Sequence, residues 1–156
     1  MGLFYRKNQE EQRQQVVFIL SIICYACAGT GFLRSLLLCW EMGKDNSNFH
    51  FAITIYTFVP SIIMVWSSIL IAVIANNVRK GIVFETSNAQ LINWVGAVVL
   101  TGGLLQSILY NFAGVEEIVT SSNNHMLIYL LGMFIVFIGQ IFHIGIRMKE
   151  EQDLTI

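Results

Sequence analysis

Long apolar runs separated by short polar segments make up most of the chain after its first fifteen residues. Four runs reach the length of about 20 residues that a helix needs to cross the hydrocarbon core of a bilayer. Each is too long and too evenly apolar for a tilted barrel strand, and a helix satisfies its own backbone hydrogen bonds in lipid. The pattern predicts an all-α, integral membrane four-helix bundle with spans at about 16–38, 51–74, 89–110 and 126–146.

Composition favours a single membrane domain over residues 1–156. Hydrophobic residues make up 55% of the chain and charged residues only 12%, whereas a soluble domain usually carries about 25% charged residues. The net charge of −1 gives no argument for direct contact with nucleic acid. The polar start lacks the pattern of a cleavable signal, so we expect the first span to remain as an anchor.

Basic residues are distributed unequally over the segments that flank the spans. Seven of the nine lie before the first span, between the second and third, or after the fourth: Arg6, Lys7, Arg13, Arg79, Lys80, Arg147 and Lys149. Only Arg34 and Lys44 remain for the other side. The positive-inside rule therefore predicts that both termini and the middle loop are cytoplasmic, with 147–156 as a cytoplasmic tail of a protein in the cell (inner) membrane.

The candidate polar residues within or at the edge of the predicted spans are one charged residue and four amides: Arg34, Asn93, Gln106, Asn111 and Gln140. A charged residue at membrane depth is a functional hypothesis by default. For Arg34 we favour a structural role, in which it reaches the outer headgroups or pairs with Glu116, Glu117 or Asn111. The neutral amides usually hydrogen-bond between helices, and the alternative is that they line a polar cavity.

Three local patterns predict how the helices pack, bend and begin. Gly132 and Gly139 are seven residues apart, which places them on one face of the fourth helix and predicts a close-packing seam. The same reading applies on the third helix to Gly96, Gly102 and Gly103. Pro60 frees a carbonyl one turn earlier in the second helix. The sequence 87–90 fits a capping box at the start of the third.

Motifs that would indicate catalysis are weak. Cys24 and Cys27 have C-x-x-C spacing, but both fall inside the first span, where hydrocarbon suppresses thiolate formation and helix packing is the favoured reading. The histidines His50, His125 and His143 lack metal-ligand spacing. No glycine pattern for nucleotide binding or a serine nucleophile is present. We expect no cofactor, no metal site and no enzymatic activity.

Two segments resemble the signatures of one family. Lys80–Leu91 is similar to a G-x-x-F-x-x-x-N-x-x-x-L pattern, and Ile141–Ile156 is similar to I-F-x-x-G-x-x-(L/M)-x-x-E-x-D-L-T-(I/V). Both resemble the bacterial family of domain of unknown function 2975, the YoaS-like membrane proteins, over the whole length of the chain. His143-Ile144 departs from the more polar or basic pair expected before the glycine.

The resemblance implies a partner rather than an activity, because these genes are often found beside a small helix-turn-helix regulator. The matched positions all fall on the predicted cytoplasmic side: Gly81, Phe84, Asn88, Glu151, Asp153, Leu154 and Thr155. We therefore expect a membrane sensor or tether that binds such a regulator. The alternative is a small transport or self-protection (immunity-like) protein, in which a homo-oligomer uses Arg34, Pro60 and the intramembrane amides to line a path.

Overall fold

The computed structural model describes residues 2–44, 51–112 and 124–154. They form four helices: α1 Gly2–Lys44, α2 Phe51–Arg79, α3 Thr86–Phe112 and α4 Asn124–Asp153. Each helix contains one of the predicted spans and is long and apolar enough to cross a membrane. No strand occurs in these three described ranges, so the all-α, four-helix prediction is confirmed.

The helices pack in the order of the chain, α1 on α2, α2 on α3 and α3 on α4. Neighbouring helices run antiparallel. Gly102, late in α3, faces Val59, early in α2, while Asn77 at the end of α2 bonds to Asn88 at the start of α3. The start of α1, the 80–85 connection and the end of α4 therefore lie at the same end of the molecule, which we call the connection end.

Two helices extend beyond their neighbours at the connection end. α1 has 43 residues, a length of about 64 Å, which is roughly twice the thickness of the hydrocarbon core. Arg79, the last residue of α2, shares a notch with Glu11, so the first nine residues of α1, 2–10, continue past the end of α2. α4 continues to Asp153, seven residues beyond the predicted span that ends at about 146.

Glycines alternate with larger residues along the α3–α4 interface. Four facing pairs run antiparallel along it: Gly103 with Tyr129, Leu100 with Gly132, Gly96 with Val136, and Asn93 with Gly139. A Cβ atom on Gly132 would lie 2.6 Å from the Cα of Leu100, closer than real Cβ atoms come. The predicted seam is confirmed, except that Gly102 faces Ile63 of α2 instead.

The α2–α3 interface is more open. An apolar groove of about 740 Å³ runs along it, with Trp66 and Trp94 among its lining residues. Amide side chains join the two helices beyond the two ends of the groove. Gln106 bonds to α2 at one end, and Asn88 bonds to α2 at the other. Polar contacts at the two ends therefore hold α2 and α3 together where apolar packing is incomplete.

The start of α3 differs from its prediction. The helix begins at Thr86, because the carbonyl of Glu85 accepts the amides of Asn88 at 3.1 Å and Ala89 at 3.4 Å. Ser87 is already inside the first turn, and its hydroxyl donates to the Glu85 carboxylate at 3.3 Å. The capping box predicted from 87–90 is therefore wrong.

Candidate functional site

Gly81 lies two residues after the last residue of α2, where the chain changes direction. Its φ of +84° is the left-handed conformation that favours glycine. The amide of Ile82 donates to the carbonyl of Asn77 at 3.0 Å, and the amide of Gly81 donates to that of Val78 at 3.0 Å. This pair of bonds is a Schellman motif, which satisfies carbonyls left open by the last turn of a helix. The predicted docking residue Gly81 therefore has a conformational role.

Asn88 organises the connection from its inner side. Its side-chain amide donates to the carbonyls of Ile82 at 2.8 Å and Val83 at 3.1 Å. Its side-chain oxygen accepts from Asn77 of α2 at 2.8 Å. Only 2% of the residue is exposed, so its side chain is out of reach of a partner. Any contribution of Asn88 to docking would come through the shape of the 80–85 connection.

Phe84 joins the connection to α4. Its ring stacks on Phe142, with centroids 5.6 Å apart and planes at 15°. The ammonium group of Lys149 lies 5.8 Å from the centroid of the Phe84 ring, within cation–π range. Phe84 is nevertheless 58% exposed. Part of the ring binds the end of α4 and part remains accessible.

The end of α4 leaves the packed interface after Ile146, which is 2% exposed. Met148, Glu150 and Glu151 are exposed, and Leu154 just past the helix is 86% exposed. Asp153 is the last helical residue. Its side chain and all of Thr155 lie outside the described residues. The structure thus brings three predicted docking residues together within 81–88: Gly81, Phe84 and Asn88. From α4, Phe142 and Lys149 contact this segment at Phe84.

The intramembrane amide Gln106 compensates for Pro60. Proline has no N–H, so Pro60 cannot donate to the carbonyl of Tyr56 one turn earlier in α2. The side chain of Gln106 in α3 donates to that carbonyl at 3.2 Å, and Gln106 is 4% exposed. A neighbouring helix thereby satisfies a carbonyl freed by a proline, as proline in lipid requires.

The other predicted intramembrane residues have separate environments. Gln140 of α4 donates to the side-chain oxygen of Asn93 of α3 at 3.4 Å. Asn111 donates to the carbonyl of Ser107 in its own helix at 2.7 Å. It therefore does not form the predicted pair with Arg34. Arg34 is exposed on α1, and the described part of the chain supplies it with no ion-pair partner. Its other predicted partners, Glu116 and Glu117, lie outside the described residues.

The Gln106–Tyr56 bond gives a first prediction. Replacing Gln106 with Leu should destabilise the protein by about 1 kcal/mol, because the freed carbonyl loses its donor. In a Pro60→Ala background the alanine amide can donate to that carbonyl, so the same replacement should cost much less. Reversible unfolding of the four proteins in bicelles measures this coupling. An equal cost in both backgrounds would show that Gln106 stabilises by packing alone.

Sequence reasoning did not identify several residues of the connection end. Asn77, Phe142 and Lys149 gain their roles only when α2, α3 and α4 meet. Phe142 was already part of the second family signature, so a pairing between the two signature aromatics was the available signal. No corresponding signal marked Asn77, because Arg79 and Lys80 shortly after it are typical of a simple helix end.

Four apolar helices packed in antiparallel order define the chain as a multi-pass membrane protein. It belongs to a family of proteins of unknown function, DUF2975, whose model matches residues 9–156. The resemblance drawn from the two signatures is thereby confirmed. Comparison with curated proteins and with solved structures gave no match.

Proposed function

We propose that this membrane protein is a sensor or tether that holds a cytoplasmic partner, a small helix-turn-helix regulator, at its connection end. The observation that carries the proposal is the meeting of the two family signatures. Phe84 of the first stacks on Phe142 of the second at 5.6 Å. Two sequence segments far apart in the chain thus form one surface.

The charge distribution supports a cytoplasmic position for this surface. Arg79 ends α2 and Lys80 follows it, and Arg147 and Lys149 lie in the last turns of α4. For a protein of the cell (inner) membrane, the positive-inside rule favours the cytoplasmic side for such residues, and with them for both termini. A cytoplasmic regulator could then reach the surface without crossing the bilayer.

The exposed apolar side chains of this surface fit a protein partner. Phe84 is 58% exposed and Leu154 is 86% exposed, and apolar anchors of this kind form the centre of protein interfaces. Glu150 and Glu151 lie beside Arg147 and Lys149 on the last turns of α4, so the rim of this surface carries charges of both signs. A charged rim of this kind gives a partner orientation and selectivity.

The transport alternative draws less support from the contacts. Gln106 and the Asn93–Gln140 pair each bond between neighbouring helices. Asn111 bonds within its own helix. These amides therefore stabilise helices and their packing, whereas a polar path would need them to face a common cavity.

Photoreactive residues placed at Phe84 and Leu154 in native membranes test the tether proposal. We expect a single DNA-binding protein to be crosslinked from both positions and identified by mass spectrometry. Trp40 is a matched control, because it is equally accessible, at 66% exposed, but lies toward the opposite end of α1.

Crosslinks only to lipid or to a second copy of the chain would overturn the proposal. Recovery of the same protein from Trp40 would show that the capture is unspecific. Deleting 154–156 should also reduce recovery of the regulator from detergent, and unchanged recovery would remove the tail from the docking surface.

A further inference from the structure

A polar notch opens at the connection end between α1 and α2. α2 ends at Arg79 while α1 continues past it, which leaves a step between the two helices. The notch has a volume of about 580 Å³ and is lined by Arg79 together with Glu11, Gln14, Gln15 and Phe18 of α1. Neither the intramembrane contacts nor the docking surface at Phe84 uses these residues.

The notch holds two opposite charges that do not pair. Arg79 and Glu11 line the same space, yet among the described residues neither has an ion-pair partner. Their charged atoms do not come within the 4.0 Å of an ion pair, and the amides of Gln14 and Gln15 line the same space. Each charge is therefore available to a separate group of one ligand.

The residues around the notch change from polar to apolar, as expected at the depth of lipid headgroups. Arg79 is the last residue of α2 and precedes the polar connection. Phe18 lies at the beginning of the apolar part of α1, and the next residues, Ile19 and Leu20, are exposed as lipid-facing side chains are. An apolar wall therefore leads from the charged notch into the hydrocarbon. A bound molecule would have a charged head and an apolar tail.

We propose that this notch binds the headgroup of phosphatidylethanolamine. The guanidinium group of Arg79 and the two glutamine amides would donate to the phosphate, which accepts several hydrogen bonds. The carboxylate of Glu11 would accept from the primary ammonium group. One acyl chain would lie along Phe18. The proposal depends on the membrane class of the protein and is independent of the regulator.

The pair of charges predicts which lipids are excluded. Phosphatidylcholine presents a quaternary ammonium group without N–H donors, so Glu11 gains no hydrogen bond from it. Phosphatidylglycerol has no cation, and its negative headgroup would be repelled by Glu11. A site built from basic residues alone would show the opposite order and prefer phosphatidylglycerol.

Native mass spectrometry of the protein released from mixed bilayers of these three lipids, with identical acyl chains, tests the proposal. The wild-type protein should retain phosphatidylethanolamine in preference to the other two. Arg79→Gln and Glu11→Gln should each reduce that retention roughly three- to tenfold, the loss expected for one hydrogen bond to a charged group at an accessible site. Lys80→Gln and Glu150→Gln are matched controls that change the same charges outside the notch.

Three outcomes would overturn the proposal. The first is equal retention of all three lipids by the wild-type protein. The second is preferred retention of phosphatidylglycerol that falls only in Arg79→Gln, which would reveal an unselective basic contact. The third is an equal loss in the control variants. Thermal unfolding of each variant in detergent checks that the fold is intact, which these exposed positions favour.

Discussion

Replacing Gly132 with alanine is expected to destabilise the protein by about 2 kcal/mol or more. The added methyl group would lie 2.6 Å from the Cα of Leu100 and also against its backbone nitrogen. The obstruction is backbone, so no side chain can rotate away from it and α3 and α4 must separate. Overpacking of a well-packed interface usually costs about 1–3 kcal/mol. Reversible unfolding in bicelles measures the change.

Gly145→Ala is the matched control on the same helix. A Cβ atom at Gly145 meets nothing within 4 Å, and alanine is the better helix former by about 0.5–1 kcal/mol. The control should therefore be neutral or slightly stabilising. Similar stability changes for the two variants would mean that the close approach of α3 and α4 at Gly132 does not determine their packing.

Replacing Asn88 with alanine is expected to cost about 3 kcal/mol and to disorder the connection. The change removes the donor to the carbonyls of Ile82 and Val83 and the acceptor for Asn77. Each buried polar group left without a partner costs about 1–3 kcal/mol. Unfolding in bicelles gives the stability, and thiol labelling of an Ile82→Cys variant, with and without the change at Asn88, reports the order of the connection.

Asn111→Ala is the control for the asparagine replacement. Asn111 is exposed and its side chain bonds only within α3, so we expect a change of less than about 0.5 kcal/mol. Asn88→Asp keeps the shape and the acceptor for Asn77 but turns a carboxylate oxygen toward the carbonyls of Ile82 and Val83, so it should cost at least as much as alanine. A wild-type stability and labelling rate for Asn88→Ala would refute the organising role of this residue.

The helices could be predicted from sequence because their signal depends on composition and length alone. A run such as 51–74 must be helical in lipid whatever it packs against. Gly132 and Gly139 were also predictable, since a spacing of seven places both on one face. These inferences need no knowledge of the neighbouring helix.

The candidate site was only partly predictable, because its contacts depend on register between helices. Asn88 was identified through a resemblance, but its burial follows from Asn77 arriving beside it at the end of α2. Pro60 indicated that a carbonyl would be free, whereas its donor, Gln106, is 46 residues further along the chain. The notch at Arg79 was missed altogether, since it arises from two helices that end at different heights.

The alternation of glycines and larger residues along α3 and α4 restricts how this hairpin can move. Sliding α4 by one step of the ladder would bring Leu100 against Val136 instead of Gly132, and would leave Gly96 and Gly103 facing glycines, so a clash at one step would be accompanied by gaps at its neighbours. Piston-like displacement of α4 is therefore blocked. The two helices are therefore expected to tilt as one unit. A displacement near Tyr129, at one end of α4, would then move Phe142 and Lys149, nearer its other end, sideways.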